Sequence, residues 1–216
     1  MTWIQQIFGQ SVSGDRVVCA FLGAYVVGCL ATGYYLGRLW LGMDIRELGS
    51  GSVGARNAGR VMGAPGFFFT LLGDFTKGAV VVWAVRRYWE DPRLTALAVL
   101  AVVFGHIFPL QLGFRGGKGV STACGALAVY DFRLALALFA LCILFALFGR
   151  LTPAGLVAFA VLPVAAKMLD RDPLEIIVVS ALAGMILVAH RKNLIEEFSH
   201  PAGSPDARTK PDHPLE

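Results

Sequence analysis

Charge is what this sequence has least of. Only 16% of its 216 residues are Asp, Glu, Lys or Arg, against 56% that are apolar. The mean hydropathy of +0.64 is too high for a water-soluble domain of that size, so the chain belongs in a bilayer. Cysteine is also sparse. Cys19, Cys29, Cys124 and Cys142 all lie in apolar stretches, with no Cys-x-x-Cys pair and no neighbouring His. That excludes a zinc or redox motif and makes them packing residues. Basic residues are missing from Met1 to Gly14, so no cleavable leader is recognised and the first apolar run is expected to stay as an anchor. No inverted repeat relates the two halves. The net charge of +4 says little about partners, because membrane proteins gather Lys and Arg on one face for topological reasons alone.

What is present is a succession of apolar runs. At about 20 residues per crossing, they read as Val17–Leu41, Gly66–Val85, Leu94–Pro109, Val120–Tyr130, Leu134–Phe148, Pro153–Met168 and Leu174–Ala189. Gly42–Gly59 is too polar and glycine-rich to cross lipid. Arg86–Arg93, RRYWEDPR, reads as a boundary loop with Tyr and Trp at headgroup depth. The fold class expected is all-α, a polytopic membrane protein of seven transmembrane helices. Loops after the first, third and fifth spans then share a face with the C-terminus, and that face collects Arg38, Arg46, Arg56, Arg60, Arg115, Lys118, Arg150, Arg191, Lys192, Arg208 and Lys210. The basic excess makes it cytoplasmic, with the N-terminus outside. Residues 1–199 are expected to form one integral membrane domain, and the polar, Pro-rich 200–216 a disordered tail.

Three polar clusters meet on that face. The first is Gly49–Arg60. It matches G-x-G-x-x-G over Gly49-Ser50-Gly51-Ser52-Val53-Gly54, but no βαβ unit surrounds it and Asp74 sits in an apolar span, so a dinucleotide site is rejected. A hydroxyl-bearing anion loop stands: Ser50 and Ser52 can donate to phosphate oxygens, and Arg60 can bind one through two parallel bonds. The second cluster, Gly113–Gly119, places Gly116, Gly117 and Gly119 around Lys118. Backbone amides without Cβ atoms can curl around an anion there. A nucleotide P-loop is excluded, since Leu112 and Gly119 occupy the places of its first Gly and its Ser or Thr. A plain Gly-rich turn with a snorkelling lysine is the other reading. In the third cluster His190 and Asn193, at i and i+3, project from one helix face and can bond a hydroxyl and a phosphate together or remove a proton. Asp74 and Lys77 share a helix face within a span and read as a structural pair; His106 reads as an interior histidine bonded to a carbonyl.

LGSGSVGARNAGRVMG at Leu48–Gly63, LLGDFTKG at Leu71–Gly78, GHIFPLQLGFRGGKGVSTACG at Gly105–Gly125 and AHRKNLIEE at Ala189–Glu197 occur in this order. Together they resemble the bacterial acyl-phosphate:glycerol-3-phosphate acyltransferases of the PlsY type, over Leu41 to about Phe198. The resemblance implies seven helices with the N-terminus out, and transfer of an acyl chain from acyl phosphate to the 1-hydroxyl of glycerol 3-phosphate, giving lysophosphatidic acid. It implies no cofactor, no metal, no nucleic acid, membrane lipid as surroundings, a monomer, and a cytoplasm-facing site in the bacterial inner membrane. His190 and Lys118 would be catalytic; Ser50, Ser52, Asn57, Arg60, Gly116, Gly117, Gly119 and Asn193 would bind substrate. The family's S-G-N-x-G-x-T-N has Ser52 for its first Asn and Arg56 for its Thr here, which bears on the acceptor. A transporter or flippase for a phosphorylated solute, motivated by Asp74, Lys77 and His106 within spans, and an inactive lipid-binding relative are the competing readings.

Overall fold

The computed structural model describes residues 12–147 and 151–191. Asn193 and the expected tail at 200–216 lie outside the described residues. The helices are α1 (Gly14–Gly28), α2 (Thr32–Leu41), α3 (Ala55–Trp89), α4 (Pro92–Ile107), α5 (Val120–Tyr130), α6 (Phe132–Ala146), α7 (Leu151–Met168) and α8 (Pro173–Ala189). Single turns of 3-10 helix at Ile45–Glu47 and Leu110–Leu112 interrupt the loops, and no strand occurs among the described residues.

Three stretches, Gly14–Leu41, Ala55–Trp89 and Pro92–Leu112, are long and apolar enough to cross a membrane; Val120–Tyr130, Phe132–Ala146, Pro153–Met168 and Pro173–Ala189 are shorter apolar helices. Large apolar side chains such as Leu39, Phe68, Trp83, Phe139 and Val164 face outward. In water they would form an adhesive surface; here they meet lipid.

Helix starts at one end of the bundle are set by aspartates. Asp91 accepts from the Arg93 amide at 2.8 Å, and Asp131 from the amides of Arg133 and Leu134 at 2.7 and 3.2 Å. Asp172 forms a capping box with Glu175 ahead of Pro173. Arg171 also reaches Asp131 at 3.0 Å, joining the start of α6 to the loop before α8.

Two departures from the expected spans matter for the site. The first span is broken: Ala31 is extended (φ −80°, ψ 95°), so α1 and α2 are separate helices and the Leu30 carbonyl is left to a side chain. The helix expected over Gly66–Val85 is longer at both ends. It begins at Ala55 and kinks at Gly63, whose φ of 70° lies in the left-handed region just before Pro65. Residues 55–62 thereby turn away from the membrane-crossing part. Arg86–Trp89, expected in a loop, continue the helix, and only Glu90 and Asp91 separate it from Pro92. A basic last turn suits a helix C-terminus, where exposed carbonyls attract cations.

The main core runs between α1 and α3 to α8, with Val82, Val102, Leu127, Phe159, Leu162 and Ile186 fully buried. A smaller cluster of Ala31, Ile45, Val53, Ala58 and Leu112 sits beneath the two loops that matter for function.

A cationic site at one end of the bundle

The first loop is built from Asn57. This residue is 1% exposed. Its Nδ2 donates toward the carbonyls of Ile45, Leu48 and Ser52 at 3.1, 3.0 and 2.9 Å. Its Oδ1 accepts from the Ser50 amide at 2.7 Å and the Ser50 hydroxyl at 3.2 Å. Asn57, expected to bind substrate, therefore holds the 45–52 loop together from behind, because an amide buried this deeply must have its polar atoms met by protein. Replacing it by Leu leaves three carbonyls and an amide without that partner. We expect a loss of about 3 kcal/mol, read as a lower thermal midpoint in detergent, with Ser50 displaced and activity falling in parallel.

A second clamp joins this loop to the glycine loop. Asp44 is buried and grips Arg46, with Nε at 3.0 Å from Oδ1 and Nη2 at 2.7 Å from Oδ2. The paired guanidinium, bonded to it twice, holds the Asp44 carboxyl below its ordinary pKa despite burial. Arg46 Nη1 then donates to the Leu112 carbonyl at 2.8 Å, while its guanidinium stacks over the Tyr34 ring with 5.2 Å to the centroid. Nothing in the spacing of Arg46 singled it out, since its partner is a backbone oxygen 66 residues away.

The glycine loop itself differs from the anion cradle expected of it. The Gly117 amide donates to the His106 carbonyl at 3.0 Å and the Gly116 amide to the Ile107 carbonyl at 3.2 Å. Both N–H groups are thus turned into the protein. The loop's glycines serve close packing: a Cβ at Gly116 would collide with the His106 carbonyl and Pro109, and one at Gly117 with the His106 imidazole. Gly119, at φ 83°, is the N-cap of α5 and needs that glycine conformation. Lys118 stands between them, half-buried, at the positive end of α5.

His190 closes the site from α8. It is the C-cap residue just beyond the apolar helix and is 5% exposed. Its Nδ1 lies 2.8 Å from the Ile186 carbonyl. A carbonyl can only accept, so Nδ1 carries the proton and Nε2 keeps its lone pair in the neutral ring. Burial pushes the imidazole below its ordinary pKa, the bond to Ile186 opposes this, and the charges of Lys118 and then Arg56 push further down. Lys118, from the α4–α5 loop, and Arg56, from the first turn of α3, are thus the two cations whose fields reach this histidine. Gly119 packs toward Ile186, which is why the Lys118 loop and the end of α8 meet.

Of the residues expected in the site, Lys118 and His190 therefore converge, and Ser50 and Ser52 share the adjoining loop, Ser52 Oγ accepting from the Gly54 amide at 3.2 Å. Arg60 is exposed one helical turn beyond Arg56. Arg56, absent from the expected binding set, belongs to the cationic group around His190.

Behind the loop lies a buried polar array. Lys77 Nζ is 2.6 Å from the Leu30 carbonyl, 2.9 Å from Asp74 Oδ1 and 2.8 Å from His106 Nδ1. Thr32 Oγ1 donates to the same Asp74 oxygen at 3.0 Å. The Asp74–Lys77 pair was legible from its spacing. Its bond to the break in the first span and to His106 was not.

Among the described residues the chain is all-helical, and cations and a buried histidine from distant segments lie at one end of the bundle. The glycerol-3-phosphate acyltransferase family model matches residues 18–200. Curated relatives include glycerol-3-phosphate acyltransferase 1 of Desulfitobacterium hafniense (strain Y51), 44% identical over 180 residues that cover 81% of this chain and 87% of the relative. Another is the glycerol-3-phosphate acyltransferase of Rubrobacter xylanophilus (strain DSM 9941 / JCM 11954 / NBRC 16129 / PRD-1), 36% identical with 82% and 89% covered. The fold is similar to the crystal structure of PlsY (YgiH), an integral membrane glycerol 3-phosphate acyltransferase. Its glycerol 3-phosphate form aligns with a TM-score of 0.77 at 28% identity, covering 85% of this chain and 92% of that one. Its lysophosphatidic acid form aligns with a TM-score of 0.75 at 26% identity. The chain belongs to the glycerol-3-phosphate acyltransferase family.

Proposed function

We propose that this protein transfers a fatty acyl group from acyl phosphate to the 1-hydroxyl of glycerol 3-phosphate, releasing phosphate and lysophosphatidic acid. It does so as a seven-span protein of the bacterial inner membrane with its site on the cytoplasmic face. The observation that carries the reading is the convergence of Lys118 and Arg56 on a His190 whose Nδ1–H is fixed by Ile186. Both reactants are phosphorylated, and unit charges of one sign 4 Å apart repel by about 4 kcal/mol at a near-surface dielectric. Cations from two separate segments offset that repulsion. Ser50, Ser52, Arg60 and Asn193 add donors for the phosphates, and Gly119 starts α5 so that its positive end lies next to Lys118.

The acceptor oxygen attacks the acyl carbonyl carbon; a C–O ester bond forms as the carbon–phosphate oxygen bond breaks, and phosphate leaves with that electron pair. His190 Nε2 takes the hydroxyl proton. Lys118 steadies the leaving phosphate and the oxyanion. Direct transfer is favoured because no Ser or Cys lies beside His190 in sequence as a nucleophile pair. The test is purified protein given palmitoyl phosphate and glycerol 3-phosphate, with lysophosphatidic acid followed by mass spectrometry. No product across a range of acyl phosphates would overturn the reading.

A pH dependence follows. His190 is depressed below the usual histidine value, so it is neutral, and competent as a base, throughout neutral pH. We expect kcat/KM to hold between pH 7 and 8 and to decline only below about 6.5. The His190 contribution to that acid limb should vanish from the residual activity of His190→Gln; an unchanged limb assigns the proton to a phosphate instead.

A further inference from the structure

We propose that His106 is a positioning residue for Lys118: its imidazole, locked by Lys77, is the surface on which the loop rests. This extends the acyltransferase reading and rests on it. Lys77 has three N–H bonds and meets three acceptors, the Leu30 carbonyl, Asp74 Oδ1 and His106 Nδ1. An ammonium cannot accept, so His106 Nδ1 presents a lone pair and the ring is neutral with its proton on Nε2. Asp74 Oδ1, 3.6 Å from Nδ1, is too far to compete for it as a bonded partner. The ring thus has one allowed orientation. Its opposite edge, Nε2 and Cε1, lies against Gly117 where a side chain would begin, and its own carbonyl receives the Gly117 amide at 3.0 Å. His106 therefore supports the residue before Lys118 with both side chain and backbone. The line of contact runs from the break between α1 and α2 through Lys77 and His106 to the lysine that faces His190.

His106→Asn separates this role from a merely structural one. Asparagine keeps an acceptor near the place of Nδ1, so Lys77 stays satisfied, but it deletes the edge that touches Gly117. We expect His106→Asn to fold with a thermal midpoint close to wild type while kcat falls about tenfold and KM for glycerol 3-phosphate changes less, as sub-ångström misplacement of a catalytic group allows. Gly117→Ala, whose new methyl strikes the ring, should lose at least tenfold in kcat/KM. The double variant should regain part of that loss, because the methyl enters the space the ring edge has left. Labelling of the Lys118 amine by an amine-reactive reagent, scored by mass spectrometry against exposed Lys167, reads loop position without turnover. It should change severalfold in His106→Asn. Wild-type kinetics and labelling in His106→Asn, or a double variant that is the plain sum of its parents, would overturn the proposal. A wild type that makes no product overturns the acyl-transfer reading, and the labelling comparison still decides the position of Lys118.

Discussion

Lys118→Met should lower acyl transfer by about 10³-fold while leaving the protein folded, in line with the loss of one charged donor at a transition-state anion. Methionine preserves the stem and removes the ammonium, so the difference isolates charge from packing. The effect is large because Lys118 cannot be substituted by a neighbour. It is the residue between a glycine pinned to His106 and the left-handed Gly119 that starts α5, and Arg115 on the same loop is exposed. Arg56 remains near His190 in the variant, so some binding persists and the deficit falls on kcat more than on KM. Steady-state rates with varied acyl phosphate and varied glycerol 3-phosphate check this. Undiminished kcat would remove Lys118 from the reacting centre.

The second large effect is on folding. Gly125→Val should abolish recovery of folded protein, or lower its thermal midpoint in detergent by more than 10 °C, a loss of over about 4 kcal/mol. The seam between α3 and α5 is made of glycines: a Cβ at Gly125 would strike the Phe75 carbonyl, and one at Gly78 the Thr122 carbonyl. These are backbone atoms in helices, which cannot give way as a flexible side chain would. Lipid supplies no hydrophobic drive to hold helices together, so close backbone approach must do so. Gly184→Ala is the control. Its Cβ would meet nothing within 4 Å, and its midpoint should match wild type.

Much of this was readable in the chain. Apolar runs of the right length located every span end but the start of the second to within a few residues, because the bilayer admits few alternatives for backbone polar groups. The largest misplacement is the start of the second span, expected at Gly66 and found at Ala55, because the polar, glycine-rich stretch before Gly66 reads as loop; at its other end Arg86–Trp89 read as loop for their charge, which a helix terminus accommodates. The break at Ala31 carried no Pro and no charge as warning; it exists because Lys77, on another helix, takes the Leu30 carbonyl. Likewise the glycines around Lys118 signalled a tight loop correctly but not its direction. Amides that could face an anion face His106 and Ile107 instead, and that choice depends on residues packed against the loop.

By itself the sequence determined that this is a helical membrane protein, and it marked Lys118, His190 and the Ser50 loop by clustering polar chemistry where hydrocarbon-compatible residues stop. Hydropathy and local spacing are properties of neighbouring residues, so they survive without coordinates. Only the tertiary structure decided that Asn57 is scaffold, that Arg46 clamps two loops, that Arg56 joins Lys118 at His190, and that Lys77 holds His106 beneath Gly117. Each of those roles is fixed by a hydrogen bond or a charge brought from elsewhere in the chain, and such a partner leaves no local trace.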